Sequence, residues 1–188
     1  MPPAGKLFYV VGPSGAGKDS LLGYVRERLP ADAPVMFAHR YITRPAAAGG
    51  ENHVALSEAE FNRLLARGLL AMHWGSHGLR YGLGTEIDRW LSAGLDVVMN
   101  GSRAYLTNAD QRYGDALQVV SITVETSILR ARLEERGRES PAEVEQRLTR
   151  AAAFNVDHPG TFHLANNGSL AEAGERLLEL LADRVAAH

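Results

Sequence analysis

The chain has 188 residues and no cysteine, which suits one domain with a full core and excludes disulfides, thiol catalysis and cysteine-ligated metals. Its net charge is -2 and 45% of its residues are hydrophobic, so no basic field advertises nucleic acid or an anionic membrane as a partner. The opening "MPPAGKLFYVVG" is too short for a membrane span and lacks the layout of a signal peptide, so a cytoplasmic protein is expected, with a homo-oligomer left open.

"KLFYVV" (Lys6–Val11) is an apolar run of strand length that ends in a glycine loop. "KDSLLGYVRERL" reads as a helix with Leu21, Leu22, Val25 and Leu29 on one side, ended by Pro30. "VMFAHRYITR" (Val35–Arg44) reads as a second strand, and "PAAAGGENH" as a loop. Ser57 and Glu60 have capping-box spacing, so a helix is expected from Ser57 to near Gly68. "LLAMHWGSHGLRYG" reads as two short strands around a turn. "TEIDRWLSAG" is a short helix closed by Gly94. "LDVVMN" and "ALQVVSITVE" are further strands. "TSILRARLEERG" and "SPAEVEQRLTRAAAFN" are helices, the second with a start signal at Ser140, Pro141 and Glu143. "TFHLANN" is the last strand and "SLAEAGERLLELLADRVAAH" an amphipathic closing helix. Strands alternating with helices predict an α/β fold with a mostly parallel sheet. The stretch from about Pro45 to Tyr81 interrupts that rhythm and reads as a lobe.

"GPSGAGKDS" (Gly12–Ser20) has the spacing of a phosphate-binding loop: glycine, four residues, Gly-Lys. Between a strand and a helix, such a loop turns backbone N–H groups around phosphate oxygens, and the helix start adds positive potential. Lys18 adds a point charge. A plain glycine turn is the competing reading; the spacing, the lysine, the preceding strand and the following helix together favour nucleotide binding. One letter departs: Asp19 stands where Ser or Thr is usual.

Arg132 and Arg136 lie four apart on one helix and share a face. Arg138 is in the connection, and Arg147 and Arg150 lie three apart on the next helix. Such a helical pair can fold over a phosphate and neutralise developing charge. The competing reading is a solvated face with Glu134, Glu135, Glu139, Glu143 and Glu145 as partners; the neighbouring phosphate loop tips the balance. His73 and His77 lie on a strand and a turn, without the helical spacing of a zinc motif, so packing or acceptor hydrogen bonds are expected of them.

"GPSGAGK", "TRP" (Thr43–Pro45), "LSEAEF" (Leu56–Phe61), "HGLRYG" (His77–Gly82), "RARLEERG" (Arg130–Gly137) and "QRL" (Gln146–Leu148) resemble the guanylate kinase family of P-loop kinases over nearly the whole chain. The resemblance implies a P-loop kinase fold: a single domain, residues 1–188, with an acceptor-binding lobe at about 45–81 and a helical lid at about 130–150. It implies that Arg132, Arg136 and Arg147 act on ATP phosphates beside Lys18, and that Arg44 holds the acceptor's phosphate. The chain also departs from that family. "PAAAG" lacks a second arginine, and His53 replaces an acceptor-site tyrosine. His73 and Trp74 stand where a guanine-reading glutamate is expected, and the third core strand ends in Asn100 instead of Asp.

"GPSGAGKDS", "GGENHVALSEAEF", "HWGSHGLRYG" and "NGSRAYL" are similar to the ribose 1,5-bisphosphate phosphokinase branch of that family. This branch implies ATP with Mg²⁺, a phosphorylated sugar as substrate, and a place in phosphonate breakdown. The γ-phosphoryl group would pass to ribose 1,5-bisphosphate, giving 5-phosphoribosyl 1-diphosphate and ADP. The implied ATP contacts are Gly12, Pro13, Ser14, Gly15, Ala16, Gly17, Lys18, Asp19 and Ser20. The implied acceptor contacts are Arg44, Glu51, His53, His77, Tyr81, Asn100, Ser102 and Arg103. Asp19 and Ser20 compete as metal ligands, while Asp19 also suits a helix N-terminus electrostatically. A guanylate or other nucleoside monophosphate kinase and a non-catalytic binding module remain alternatives.

Overall fold

The computed structural model describes residues 5–48 and 51–186. Gly49 and Gly50 of the "PAAAGGENH" loop, the first four residues, and Ala187 and His188 of the closing helix lie outside them. A five-stranded sheet has the order β2 (Val35–Phe37), β7 (Asp96–Asn100), β1 (Leu7–Val11), β8 (Leu117–Thr123), β9 (Phe162–Ala165), and a four-stranded sheet the order β4 (Val54–Ala55), β3 (Tyr41–Ile42), β6 (Leu79–Gly84), β5 (Leu70–Ser76). The chain divides into two compact units, Met1–Tyr9 with Pro34–Leu117, and Val10–Ala33 with Gln118–His188.

In the first unit, β2 (Val35–Phe37) runs parallel to β7 (Asp96–Asn100), pairing Val35 with Asp96 and Phe37 with Val98. All five residues of β7 are buried, as expected of a strand covered on both faces. The four-stranded sheet holds β3 (Tyr41–Ile42), β4 (Val54–Ala55), β5 (Leu70–Ser76) and β6 (Leu79–Gly84). β5 and β6 form the expected hairpin around His77 and Gly78, both at positive φ. Helix α2 (Glu58–Ala66) starts with the Ser57–Glu60 capping box and buries Phe61. Helix α3 (Glu86–Ser92) precedes Gly94, whose φ is 82°.

Two features differ from the sequence reading. "VMFAHRYITR" is not one strand but two, β2 and β3, in different sheets. The apolar pattern breaks at His39 and Arg40, whose side chains turn to Asn52 and Glu51 and draw the chain away from β7. Beyond the break, Tyr41 pairs with Val54 and Gly82. The second feature is helix α4 (Leu106–Tyr113), which the sequence reading leaves unassigned. Its buried residues, Leu106 and Ala109, are three apart, a weak signal in a polar segment.

The second unit carries α1 (Lys18–Arg28), α5 (Thr126–Arg136), α6 (Pro141–Ala152), β9 (Phe162–Ala165) and α7 (Leu170–Ala186). Most of β8 (Leu117–Thr123) belongs here and runs parallel to β9. β1 (Leu7–Val11), fully buried, leads into the glycine loop. Leu129 and Leu133 of α5 pack on Val144 and Leu148 of α6, with Val124 and Ala151 at the edge. This apolar seam fixes the pitch of the helical pair and therefore the directions of its arginines. α6 begins with the Ser140–Glu143 capping box and Pro141 in its first turn, as the sequence signals.

Candidate active site

In the second unit the chain turns sharply after β1. Gly15 and Gly17 have φ of 87° and 85°, a conformation that side chains with a Cβ resist. The space is closed as well: a Cβ on Gly17 would sit 2.7 Å from Asn166 Nδ2, and one on Gly12 would sit 3.0 Å from the Ile122 carbonyl oxygen. The glycines are required by backbone shape and by close approach together. Gly17 caps α1 without a side chain, which leaves the first amides of the helix at the loop.

Lys18 Nζ donates to the Gly12 carbonyl at 2.7 Å and lies 3.4 Å from that of Pro13, so its ammonium spans the loop. Asn166, 4% exposed at the end of β9, donates to the Ala16 carbonyl at 2.7 Å and pins the loop from beneath. Asn167 bonds the Glu125 backbone amide at the start of α5. The sequence reading missed Asn166; the signal was a polar pair closing an apolar strand. Asp19 and Ser20 are exposed in the first turn of α1, where oxygen ligands of the kind magnesium accepts face outward.

The arginines separate into two groups. Arg130 pairs with Glu145 and lies 3.9 Å from Glu134, as a solvated face would. Glu143 is committed to its helix start, where the Ser140 backbone N–H holds its carboxyl below the usual carboxylate range. Arg147 instead reaches the glycine loop, its Nη1 donating to Ser14 Oγ at 2.7 Å. Arg136 donates to Glu139, and Arg147 forms an ion pair with it, Nη2 lying 3.1 Å from Oε1. Arg132 Nη2 donates to the Gly168 carbonyl at 3.3 Å. Each of the three predicted lid arginines thus has a protein partner, which removes the bare mutual repulsion that their charges alone suggest.

In the first unit, Arg44, Glu51 and His53, three residues of the expected acceptor set, lie in mutual contact around the His53 ring. His53 Nε2 lies 3.0 Å from the Arg44 carbonyl and Nδ1 lies 3.4 Å from Arg44 Nη2. Nδ1 also lies 3.2 Å from the Glu51 carbonyl. Both oxygens of Glu51 accept from Arg40, at 2.9 and 3.0 Å to Nε. This pair is largely withdrawn from water, with side chains 13% and 11% exposed. The Arg40 guanidinium lies 4.9 Å from the centroid of the Tyr81 ring. Tyr81 stacks on Trp74 at 5.7 Å and 4°, and Trp74 on Tyr105 at 5.2 Å and 30°. Arg40 and Tyr105 were missed from the sequence, Arg40 because it reads as part of a strand.

Asn100 is buried at the end of β7, and Ser102 and Arg103 follow it. Tyr9 fixes this turn: its hydroxyl donates to the Ser102 carbonyl at 2.7 Å and accepts from the Ser102 amide at 2.9 Å. Burial pushes the Tyr9 hydroxyl up to about 12. His77 is exposed on the β5–β6 turn, and no hydrogen bond among the described residues ties it to Arg44, Glu51 or His53.

Parallel strands, flanking helices and a glycine loop between β1 and α1 define a guanylate kinase-like P-loop kinase fold. The crystal structure of guanylate kinase from Anaplasma phagocytophilum aligns with TM-score 0.67 over 97% of this chain and 87% of that one, at 16% identity. No protein-family model matches the chain. It is 54% identical to ribose 1,5-bisphosphate phosphokinase PhnN of Thiobacillus denitrificans over 95% of its length and 94% of that protein's. It is 56% identical to the protein of the same name in Desulfomicrobium baculatum, with 95% of each covered. The chain belongs to the ribose 1,5-bisphosphate phosphokinase family.

Proposed function

We propose that the chain transfers the γ-phosphoryl group of ATP to the 1-phosphate of ribose 1,5-bisphosphate, giving 5-phosphoribosyl 1-diphosphate and ADP, as a cytoplasmic enzyme of phosphonate breakdown. The carrying observation is the glycine loop with Lys18 across its carbonyls and Arg147 bonded to its Ser14. The amides of Gly12–Ser20 and the Lys18 ammonium would hold the donor's phosphates, in a loop whose close packing on Ile122 and Asn166 crowds out a Cβ at Gly12 or Gly17. Asp19 or Ser20 would hold Mg²⁺, whose chemistry when bound is to neutralise phosphate charge.

Phosphoryl transfer asks the protein mainly for positioning and charge neutralisation. An oxygen of the acceptor's 1-phosphate forms the new bond to the γ-phosphorus while the bond to the β-phosphate's bridging oxygen breaks. That acceptor oxygen is already ionised at neutral pH, so no general base is assigned. Lys18, Arg132, Arg136 and Arg147 offset the repulsion between two anions. Arg44, held by His53, and Tyr81, faced by the Arg40–Glu51 pair, serve the acceptor, with His77, Asn100, Ser102 and Arg103 as further contacts. Trp74 stacked on Tyr81 and Tyr105 offers no carboxylate to read guanine.

A coupled assay of ADP release with ribose 1,5-bisphosphate, with GMP and without acceptor tests this reading. Turnover is expected with the bisphosphate and little above background with GMP. Comparable kcat/KM for GMP would establish a nucleoside monophosphate kinase instead, and no turnover with either would refute the phosphotransferase.

A further inference from the structure

The connection between α5 and α6 carries a residue that the phosphate chemistry above does not use. Gly137, in the left-handed region at φ 62°, ends α5, and Glu139 follows before α6 begins. The Glu139 side chain is only 7% exposed, whereas those of Arg136 and Arg147 are 36% and 32% exposed. One oxygen, Oε1, accepts from Arg136 Nη2 and forms an ion pair with Arg147, whose Nη2 lies 3.1 Å away. The other, Oε2, is buried and has no hydrogen-bond partner among the described residues. Arg147 continues the chain of contacts to Ser14 of the phosphate loop. Of the neighbouring glutamates, Glu134 and Glu145 pair with Arg130 and Glu143 bonds its helix start.

We propose that Glu139 is the positioning residue for the lid arginines: it holds the Arg136 and Arg147 guanidinium groups side by side, aimed at the loop, before phosphates arrive. Two guanidinium groups on one oxygen repel each other, and a carboxylate withdrawn from water offsets that repulsion more strongly than a solvated one. Each guanidinium offers five N–H donors in a fixed fork. Glu139 takes one from Arg136 and Ser14 one from Arg147, so most donors remain for phosphate. A carboxylate at this point orients the pair without occupying it. Because the arginines are already gathered, little reorganisation remains at the moment of transfer, and preorganised charge acts on the rate more than on ground-state binding.

This inference rests on the phosphotransferase reading for its kinetic consequence, but its structural half can be tested alone. The full chain without nucleotide is compared with Glu139→Gln and Glu139→Asp by NMR of the arginine guanidinium groups, assigned through Arg136→Lys and Arg147→Lys. Slow rotation of both groups is expected in the wild type, lost in Glu139→Gln and partly kept in Glu139→Asp. With ATP and ribose 1,5-bisphosphate, Glu139→Gln is expected to lose about tenfold or more in kcat, while KM for ATP changes by less than about threefold. Its Tm should stay near that of the wild type, and Glu139→Asp should recover part of the rate. Guanidinium signals identical in wild type and Glu139→Gln would overturn the proposal. So would a kcat that is unchanged or raised, the latter marking Glu139 as a competitor of phosphate. If the wild type fails to use ribose 1,5-bisphosphate, the functional reading fails and the NMR comparison still decides the role of Glu139. If Glu139→Gln does not fold, Glu139→Asp decides it by the same two readouts.

Discussion

The glycine loop and the Arg40–Glu51 region are built from different materials. The loop is made of backbone: Gly12, Gly15 and Gly17 shape it, and few side chains, chiefly Lys18 and Asn166, complete it. The Arg40–Glu51 region is made of side chains: a withdrawn ion pair, a histidine clasped to an arginine, and three stacked aromatic rings. A backbone site needs few fixed letters at fixed spacing, because any peptide unit supplies an N–H. A side-chain site can be assembled from many letter combinations. The first kind is therefore read from a motif, whereas the second has to be seen in three dimensions. The two should also fail differently when altered.

The largest effect is expected at Lys18. Lys18→Ala removes a charge and leaves the glycines, so the loop should keep its shape. Loss of one charge-stabilising donor costs about 10²–10³-fold in kcat. The Tm should move little, since Lys18 is not among the residues of the buried core. A folded Lys18→Ala chain with normal turnover would remove the loop from the reaction.

At Glu51 the expected loss is of stability first. Glu51→Ala leaves the Arg40 charge without its bidentate partner at a site only 13% exposed. Stranding one member of a withdrawn pair costs about 3 kcal/mol. Urea unfolding should therefore show a lowered midpoint with an unchanged m-value. The double variant Arg40→Ala with Glu51→Ala should recover part of that loss, because no charge is then left stranded. Equal stability of the single variant and the wild type would mean that the pair is screened by water, and the contrast with the loop would weaken.

This contrast also accounts for what the sequence made legible. The strand–loop–helix start, both capping boxes, the β5–β6 hairpin and the α5–α6 pair follow from local chemistry and were readable. The break of "VMFAHRYITR" into β2 and β3 was not, because it depends on Arg40 finding Glu51 eleven positions away. Lys18 and the arginines were readable as types at set spacing. Glu139 was readable only as one of several glutamates on a charged helix pair; burial against two arginines is what distinguishes it. Asn166 is 150 residues from the carbonyl it pins, and no local pattern announces such a contact.

The smallest expected effect lies where the two regions do not differ. Each unit has a helix opened by the same device, Ser57–Glu60 in the first and Ser140–Glu143 in the second. In each, the serine's backbone N–H bonds the glutamate carboxylate, at 2.8 and 2.7 Å, and this bond holds both carboxyls below the usual carboxylate value of 4.5. A carboxyl with a lowered pKa in the fold stabilises it above the unfolded value, and that contribution disappears as pH falls through the folded value. The helix starts should therefore be at full strength near neutrality and weaken on acidification below about pH 4.5. Glu60→Gln and Glu143→Gln keep an acceptor oxygen but carry no titrating charge. Each variant should have a slightly lower Tm than the wild type at pH 7, with the gap closing as the pH drops into the acid range. The gap should close alike for both, since the cause is the same local bond. A gap that persists unchanged in acid would show that the charge contributes nothing at that helix start. A gap that closes for one variant only would show that its surroundings, and not the shared motif, set the behaviour of that glutamate.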